Sequence, residues 1–375
     1  MIPNQEQIKA LELTRGVVPT PNAIANLSKH LGSEHIRWAF TIWSLRDRAR
    51  AKFVKANEML FVTEALEQAT HEAVASYHAS QFPKDVLVCD LTAGIGSDLI
   101  ALARRGPAIG YEINQERSEF AKHNLAVNDL EASVIVQSCL DATWDFEYAF
   151  SDPGRRLGGR RLKDPSDFMP DPDELSSRMK SLMLGGIKLS PLIDDRYLES
   201  LGPRLEFVSF ERECREAIVW TGALAEAGRF AVLLGTGGVH RIKVSDSQWA
   251  ESVDSADGYL YEADPAAIRA HALPDLGGEL GMKLLGDSNG YLTSNEVAES
   301  IWLRRYSVID QCPFDEKTVR SLLRKLGGGR PILKVRGAKI DVGSWSKRLT
   351  LPGDGQPIIA IYPIGKSLRA IILSQ

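Results

Sequence analysis

The stretch VLVCDLTAGIGSD, from Val86 to Asp98, decides the fold. An apolar run, Val86–Cys89, reads as a strand buried on both faces. It ends in Asp90, turns through small residues, and enters a helical pattern over Ser97–Arg105 that Gly106 closes as a C-terminal cap. A strand, a glycine-bearing turn and a helix N-terminus form a ligand cradle. Glycine lets the backbone approach closely, and the unpaired N–H groups of the helix start point outward.

The same rhythm continues downstream. Pro107–Tyr111 reads as a second strand, a helix starts after the N-cap Asn114, Val134–Gln137 is a third strand and Tyr148–Ser151 a fourth. Gly186–Leu189, Leu205–Phe210, Ala217–Trp220 and Phe230–Leu234 complete the series. Strands separated by helical patterns predict an α/β fold with a doubly wound, Rossmann-like, mainly parallel sheet. Short connections among the later strands allow an antiparallel edge. Upstream, His35–Met59 and Glu64–Phe82 carry apolar residues at helical period, and Pro83 ends that region. Four segments are expected: 1–82, N-terminal and helical; 83–245, Rossmann-like; 246–302, a looser connection; and 303–375, a small α+β module. Within the module, strands are expected at Arg305–Asp310 and Pro331–Arg336, helices at Asp315–Leu326 and Val342–Leu349, and a hairpin from Ile358–Pro363 and Leu368–Leu373.

A chain of 375 residues exceeds one ordinary core. No apolar run approaches a membrane span and no signal-peptide pattern opens the chain, so a cytoplasmic protein with no membrane partner is expected. The four cysteines lie far apart and the seven histidines lack ligand spacing, which predicts inert thiols and no metal. The net charge of −4 hides an asymmetry. Residues 303–375 hold 14 Lys and Arg against 5 Asp and Glu, leaving 31 against 44 elsewhere. A basic end on an acidic body points to a polyanion contact, against the plainer reading of a solvated face.

The turn discriminates between two ligand classes. A dinucleotide fingerprint GxGxxG starting at Gly94 requires glycine at 99, where Leu99 stands. Asp90 and Asp98 flank the turn and would repel a pyrophosphate, whereas they attract the ammonium of S-adenosylmethionine. Glu112 ends the second strand, placed to accept ribose hydroxyls. Asp141, within Ser138–Ala142, suits an adenine amino group. The fourth strand runs into SDPGRR, Ser151–Arg156, so Asp152 falls at the carboxyl edge where ligands bind and could orient or deprotonate an acceptor. Arg155, Arg156, Arg160, Arg161 and Lys163 follow, suited to phosphate.

These residues resemble class I S-adenosylmethionine-dependent methyltransferases, and DLTAGIGSD is particularly similar to the form found in RNA methyltransferases. LEQAT (Leu66–Thr70), DPGRR (Asp152–Arg156), KLSP (Lys188–Pro191), YLYEADP (Tyr259–Pro265) and YLTS (Tyr291–Ser294) extend the similarity to a bacterial group with a C-terminal THUMP-like domain, resembled here from Pro313 to Arg348. The resemblance implies a seven-stranded methyltransferase sheet. It implies S-adenosylmethionine contacts at Asp90, Thr92, Ala93, Gly94, Gly96, Asp98, Glu112, Ile113, Asp141 and Ala142; as catalytic residues, Asp152 is expected to orient the acceptor and Arg155 and Arg156 to position its phosphate. It also implies an RNA partner, tRNA or rRNA, met by residues 303–375 and the Arg155–Lys163 loop.

One departure stands out. Amino-base methyltransferases show (D/N)PP(Y/F) after the fourth strand, with the aromatic ring stacked on a flipped base; here those positions are Gly154 and Arg155. The methylated atom is therefore open. No cysteine is expected in the site with a general base, which argues against a covalent pyrimidine route. Two competing readings are a non-catalytic RNA-binding protein on a degenerate methyltransferase fold, and a methyltransferase acting on a small molecule or protein.

Overall fold

The computed structural model describes residues 3–154, 156–157, 160–161, 164–235, 237–246 and 251–374. They form two compact units, Met1–Leu205 with Ala217–Ala227, and Glu206–Glu216 with Gly228–Gln375. The division differs from the four expected segments: the N-terminal helices belong to the first unit, and residues 246–302 belong to the second.

In the first unit, helices α1 (Gln5–Thr14), α2 (Pro21–Leu31), α3 (Ser33–Ala49), α4 (Thr63–Gln68) and α5 (Glu72–Ser80) precede the sheet. Asn4 and Gln7 form a reciprocal capping box on α1, and Thr20 with Pro21 starts α2. The helical pattern expected over Glu64–Phe82 is broken at Ala69–His71. There the chain end of α4 presents carbonyls of Leu66 and Ala69 to the Lys52 ammonium, which donates to them at 2.9 and 2.7 Å. A cation on orphaned C-terminal carbonyls stabilises a helix stop that periodicity alone does not show.

Strands β1 (Val88–Asp90), β2 (Ala108–Glu112), β3 (Ser133–Val136) and β4 (Tyr148–Ser151) alternate with α6 (Ser97–Ala103) and α7 (Gln115–Val127). A short ribbon of β5 (Arg156–Leu157) and β6 (Arg160–Arg161) follows, then α8 (Pro172–Met179), β7 (Leu184–Leu189), α9 (Asp195–Leu201), β8 (Arg204–Phe210) and β9 (Glu213–Thr221). Within the first unit the order is β9-β7-β4-β1-β2-β3. All of these pair in parallel except β9, which runs antiparallel to β7. The chain winds outward from β1 to β3 and returns to β4 on the other side of β1. The switch point therefore lies between β1 and β4, where the Asp90 turn and Asp152 meet.

The core explains why α5 stays on this sheet. Phe82 meets Trp220 edge-on at 5.7 Å between ring centroids, and the buried His78 stacks on Phe150 at 4.5 Å. Gly186 in β7 is required by this packing, since a Cβ there would stand 2.6 Å from the Trp220 ring.

The second unit carries β10 (Gly228–Gly235) and β11 (Gly238–Lys243), an antiparallel pair with Phe230 opposite Lys243. The second unit continues with β12 (Ser252–Val253), β13 (Tyr259–Ala263), α10 (Pro265–Arg269), α11 (Leu273–Leu280), β14 (Lys283–Leu285) and β15 (Tyr291–Ser294). It ends in β16 (Leu303–Pro313), α12 (Glu316–Lys325), β17 (Ile332–Val335), α13 (Val342–Leu349), β18 (Ile358–Ile364) and β19 (Ser367–Ser374). Their eight-stranded order is β12-β14-β15-β13-β16-β19-β18-β17. The segment expected as a connection is thus half of a sheet. Strand alternation sorts the two faces: Ile359, Ile361, Ala370 and Ile372 pack under α12 and α13, while Ile358, Ala360, Tyr362 and Ile371 pack with Tyr291 and Tyr306. No helix among the described residues is long and apolar enough to cross a membrane.

Candidate active site

A cavity of about 270 Å³ opens at the switch point of the first unit. Thr92, Ala93, Gly94, Asp98, Glu112, Ile113 and Asp152, all expected from the sequence, line it. Four expected residues do not. Asp90 is 2% exposed and lies off the cavity wall, Gly96 is a backbone device, and Asp141 and Ala142 are displaced by Gln137–Leu140. Arg155 lies outside the described residues, as does Lys163, and Arg156 is placed only by its backbone in β5.

The turn is built from two left-handed glycines. Gly94 has φ +55° and its N–H donates to Glu112 Oε2 at 2.9 Å; Asn114 N–H donates to Glu112 Oε1 at 2.8 Å. Glu112 thereby ties the end of β2 to the turn after β1. Gly96 has φ +93° and starts α6, and a Cβ there would stand 3.4 Å from Ala121 Cα. Gly110 in β2, not singled out by the sequence, is equally constrained: its Cβ would meet Leu99 Cδ2 at 2.6 Å and Ala93 Cβ at 2.8 Å.

Carboxylates converge here. Asp90 Oδ1 accepts from Thr92 N–H at 3.1 Å, while Oδ2 is buried without a hydrogen-bond partner. Burial, reinforced by Asp98, Asp152 and Glu112 and opposed by the Thr92 N–H, holds the Asp90 carboxyl well above the usual carboxylate range. Burial also raises Glu112, against the pull of the Asn114 and Gly94 N–H groups and Arg117. Asp98 goes the other way. Burial acts to raise it, but a hydrogen bond from His78, the His78 and Lys188 charges and Thr70 together hold it low. Asp98 Oδ1 meets His78 Nδ1 at 2.7 Å and Oδ2 accepts from Thr70 Oγ1 at 2.8 Å.

Asp152 is fixed in turn. Its N–H donates to Thr92 Oγ1 at 2.6 Å, and its Oδ2 accepts from Lys188 Nζ at 2.5 Å. Gly154, the departure from a second proline, pairs with Met169 through two backbone hydrogen bonds, Gly154 N–H to Met169 O at 2.8 Å and Met169 N–H to Gly154 O at 3.2 Å. Proline at 154 would lack the donor for the first. Met169 and Pro170, across a cis peptide bond, join the cavity wall.

Sequence reading missed Thr70, His78 and Lys188. Thr70 and Lys188 stand in the LEQAT and KLSP stretches, whose similarity carried no role, and His78 sits among apolar helix positions. Cys139 lines the cavity. Burial pushes its thiol up to about 11, so it is a neutral wall residue at ordinary pH. Among the described residues no cluster of His, Cys, Asp and Glu could hold a metal ion.

Relatives place this geometry in a family. Two proteins of Mycobacterium tuberculosis, from strains CDC 1551 and H37Rv, are each 31% identical over 340 residues, spanning 88% of this chain and 93% of theirs. Both are named as uncharacterised S-adenosylmethionine-dependent methyltransferases. The chain belongs to the S-adenosylmethionine-dependent methyltransferases. Residues 303–374 of the enzyme match the THUMP domain-like family. A crystal structure of a protein assigned as a methyltransferase from Porphyromonas gingivalis W83 superposes with a TM-score of 0.80 at 22% identity, covering 99% of this chain and 98% of that one, which shows a shared fold throughout.

Proposed function

We propose that the enzyme methylates a nucleotide of RNA, with S-adenosylmethionine in the cavity at the switch point. The carrying observation is the set of carboxylates around that cavity, of which Asp90 Oδ2 is buried and unpartnered. Several acids in one low-dielectric place repel each other, and a ligand bearing an ammonium and a sulfonium relieves the repulsion.

The wall offers complementary surfaces for the remainder of such a ligand. Glu112 accepts the Gly94 and Asn114 N–H groups, and its carboxylate keeps lone-pair capacity for a ribose hydroxyl. Ile113 is 69% exposed at the wall, an apolar surface that an adenine face would cover, with Gln137–Leu140 presenting backbone to the ring edge. Thr92, Ala93, Gly94 and Gly96 form the backbone cradle, and Asp90 sets the charge behind it. Asp98 contributes through the turn's rigidity. Bound S-adenosylmethionine supplies an electrophilic methyl group. The chain's residues hold the acceptor: Asp152 receives a hydrogen bond from it, and Arg155 and Arg156 meet phosphate, so that proximity and orientation supply most of the acceleration.

The acceptor class rests on the C-terminal module. Lys317, Arg324, Lys325, Arg330, Lys339 and Lys347 are exposed within the THUMP-like region, and exposed Lys and Arg in excess are the groups that take up phosphates. Incubation with labelled S-adenosylmethionine and total RNA from cells lacking the gene tests the reading. Label in RNA supports it; cofactor binding with label absent from RNA, under conditions where RNA is bound, removes it.

A further inference from the structure

Lys188 is the unexpected cation of the first unit. It lies in β7, between parallel β4 and antiparallel β9, where Ile187 and Leu189 flank it and Ile218 stands opposite. Its side chain is 11% exposed. Placing an ammonium in such a strand costs several kcal/mol unless it is paired. The register answers why it is there. Ser151 stands opposite Ile187, so the next positions along both chains bring Asp152 beside Lys188.

The hydrogen bonds give the pairing a direction. Lys188 Nζ reaches Asp152 Oδ2 at 2.5 Å and Thr70 Oγ1 at 3.1 Å. Thr70 has one hydroxyl proton, and it is committed to Asp98 Oδ2. Thr70 therefore presents only a lone pair to Lys188, and the ammonium is held from behind by a group it cannot exchange with. Asp98, fixed by His78, anchors the chain His78–Asp98–Thr70–Lys188–Asp152.

We propose that Lys188 is a positioning residue that neutralises Asp152, so that this carboxylate orients the acceptor without tightening the grip on a cationic methyl donor. The proposal rests on the S-adenosylmethionine reading of the cavity. A bare carboxylate beside a sulfonium stabilises the reactant more than the transition state, in which the positive charge is leaving sulfur, and so slows transfer. With Lys188 in place, Asp152 keeps its aim and loses its net pull. Among the groups that meet Lys188 from other elements are Asp152, Thr70 and, by its charge, Asp98.

The test compares S-adenosylmethionine, a sulfonium, with S-adenosylhomocysteine, a neutral thioether, by calorimetry on the full chain. Lys188→Met should raise the ratio of their affinities by about tenfold, the size of one charge interaction in a partly solvated site. Lys188→Arg should keep the wild-type ratio, and Lys188→Met/Asp152→Asn should restore it. Asp152→Asn alone should lower the ratio, because the Asp152 charge is lost while the Lys188 ammonium remains; this variant and the double one remain informative if Lys188→Met fails to fold. Both ligands binding with ratios unchanged across the variants overturns the proposal while leaving the cofactor reading intact. Wild-type protein binding neither ligand overturns the cofactor reading, and this proposal with it.

Discussion

His78 Nδ1 and Asp98 Oδ1 are 2.7 Å apart, and both residues are buried, at 0% and 7% exposure. The acid that opens α6 is thus spoken for by a helix that precedes the sheet. Its charge serves the integrity of the turn, and the attraction for a cationic ligand falls to Asp90 and Glu112. Removing the partner should be costly. His78→Ala leaves a buried carboxylate without its main support and should lose about 3–5 kcal/mol in urea unfolding. The Asp98 carboxyl is held low, so its contribution is present above the unfolded value near 3.9 and is lost as pH falls through the lowered folded value. Wild type and His78→Ala should therefore converge in stability in strong acid. A loss under about 1 kcal/mol at neutral pH contradicts this role.

Asp90 makes the opposite prediction. Its folded value is raised, so its stabilising effect is complete below the unfolded value and is lost as pH rises through the folded one. Asp90→Asn keeps an oxygen for the Thr92 N–H and removes the buried charge. The ligand-free variant should melt higher than wild type, the gap widening toward alkaline pH, while its S-adenosylmethionine affinity falls. Thermal melts across pH with calorimetry at neutral pH measure both. A variant that melts lower at every pH, with affinity unchanged, contradicts the assignment.

Gly110→Ala should disturb the turn without touching its motif. The added methyl collides with Leu99 and Ala93, and over-packing of this kind costs about 1–3 kcal/mol. Because Ala93 and its neighbour Gly94 form the cavity wall, affinity for S-adenosylmethionine should drop with stability. Equal affinity in a destabilised variant would place the turn outside the ligand's contacts.

For the C-terminal module, Lys317→Glu with Arg324→Glu on α12 should weaken tRNA binding by about tenfold or more at moderate salt and flatten its salt dependence by roughly one unit of slope per lost phosphate contact. Neither side chain is buried, so melting should shift little. Filter binding across ionic strength reads the slope; an unchanged slope argues against phosphate contact on this helix.

Much of this was legible in the chain because it is local. The strand–turn–helix of Val86–Arg105, the hairpin of β18 and β19, and the acid Glu112 at a strand end are each written within one or two elements. The module's strands and helices were read nearly to their ends, since alternation and helical period there are undisturbed. The misses are long-range. Thr70, His78 and Lys188 carry no periodic signal, and their meaning arises only when α5 and β7 bring them to one place. The break at Ala69 depends on a lysine from an earlier loop. Asp141 ends a short turn, Cys139–Asp141, and Gln137–Leu140 rather than Asp141 line the cavity. Gly154 read as a departure in sequence, and in space it is the backbone donor to Met169.

The most direct measurement is mass spectrometry of nucleosides from tRNA and rRNA of cells lacking the gene, before and after incubation with S-adenosylmethionine and either the wild-type enzyme or Asp152→Asn. One methylated nucleoside is expected that the wild type adds and Asp152→Asn adds at least about a hundredfold more slowly, the scale of a lost orienting group. RNA whose nucleosides are unchanged by a wild-type enzyme that binds both S-adenosylmethionine and RNA would contradict it.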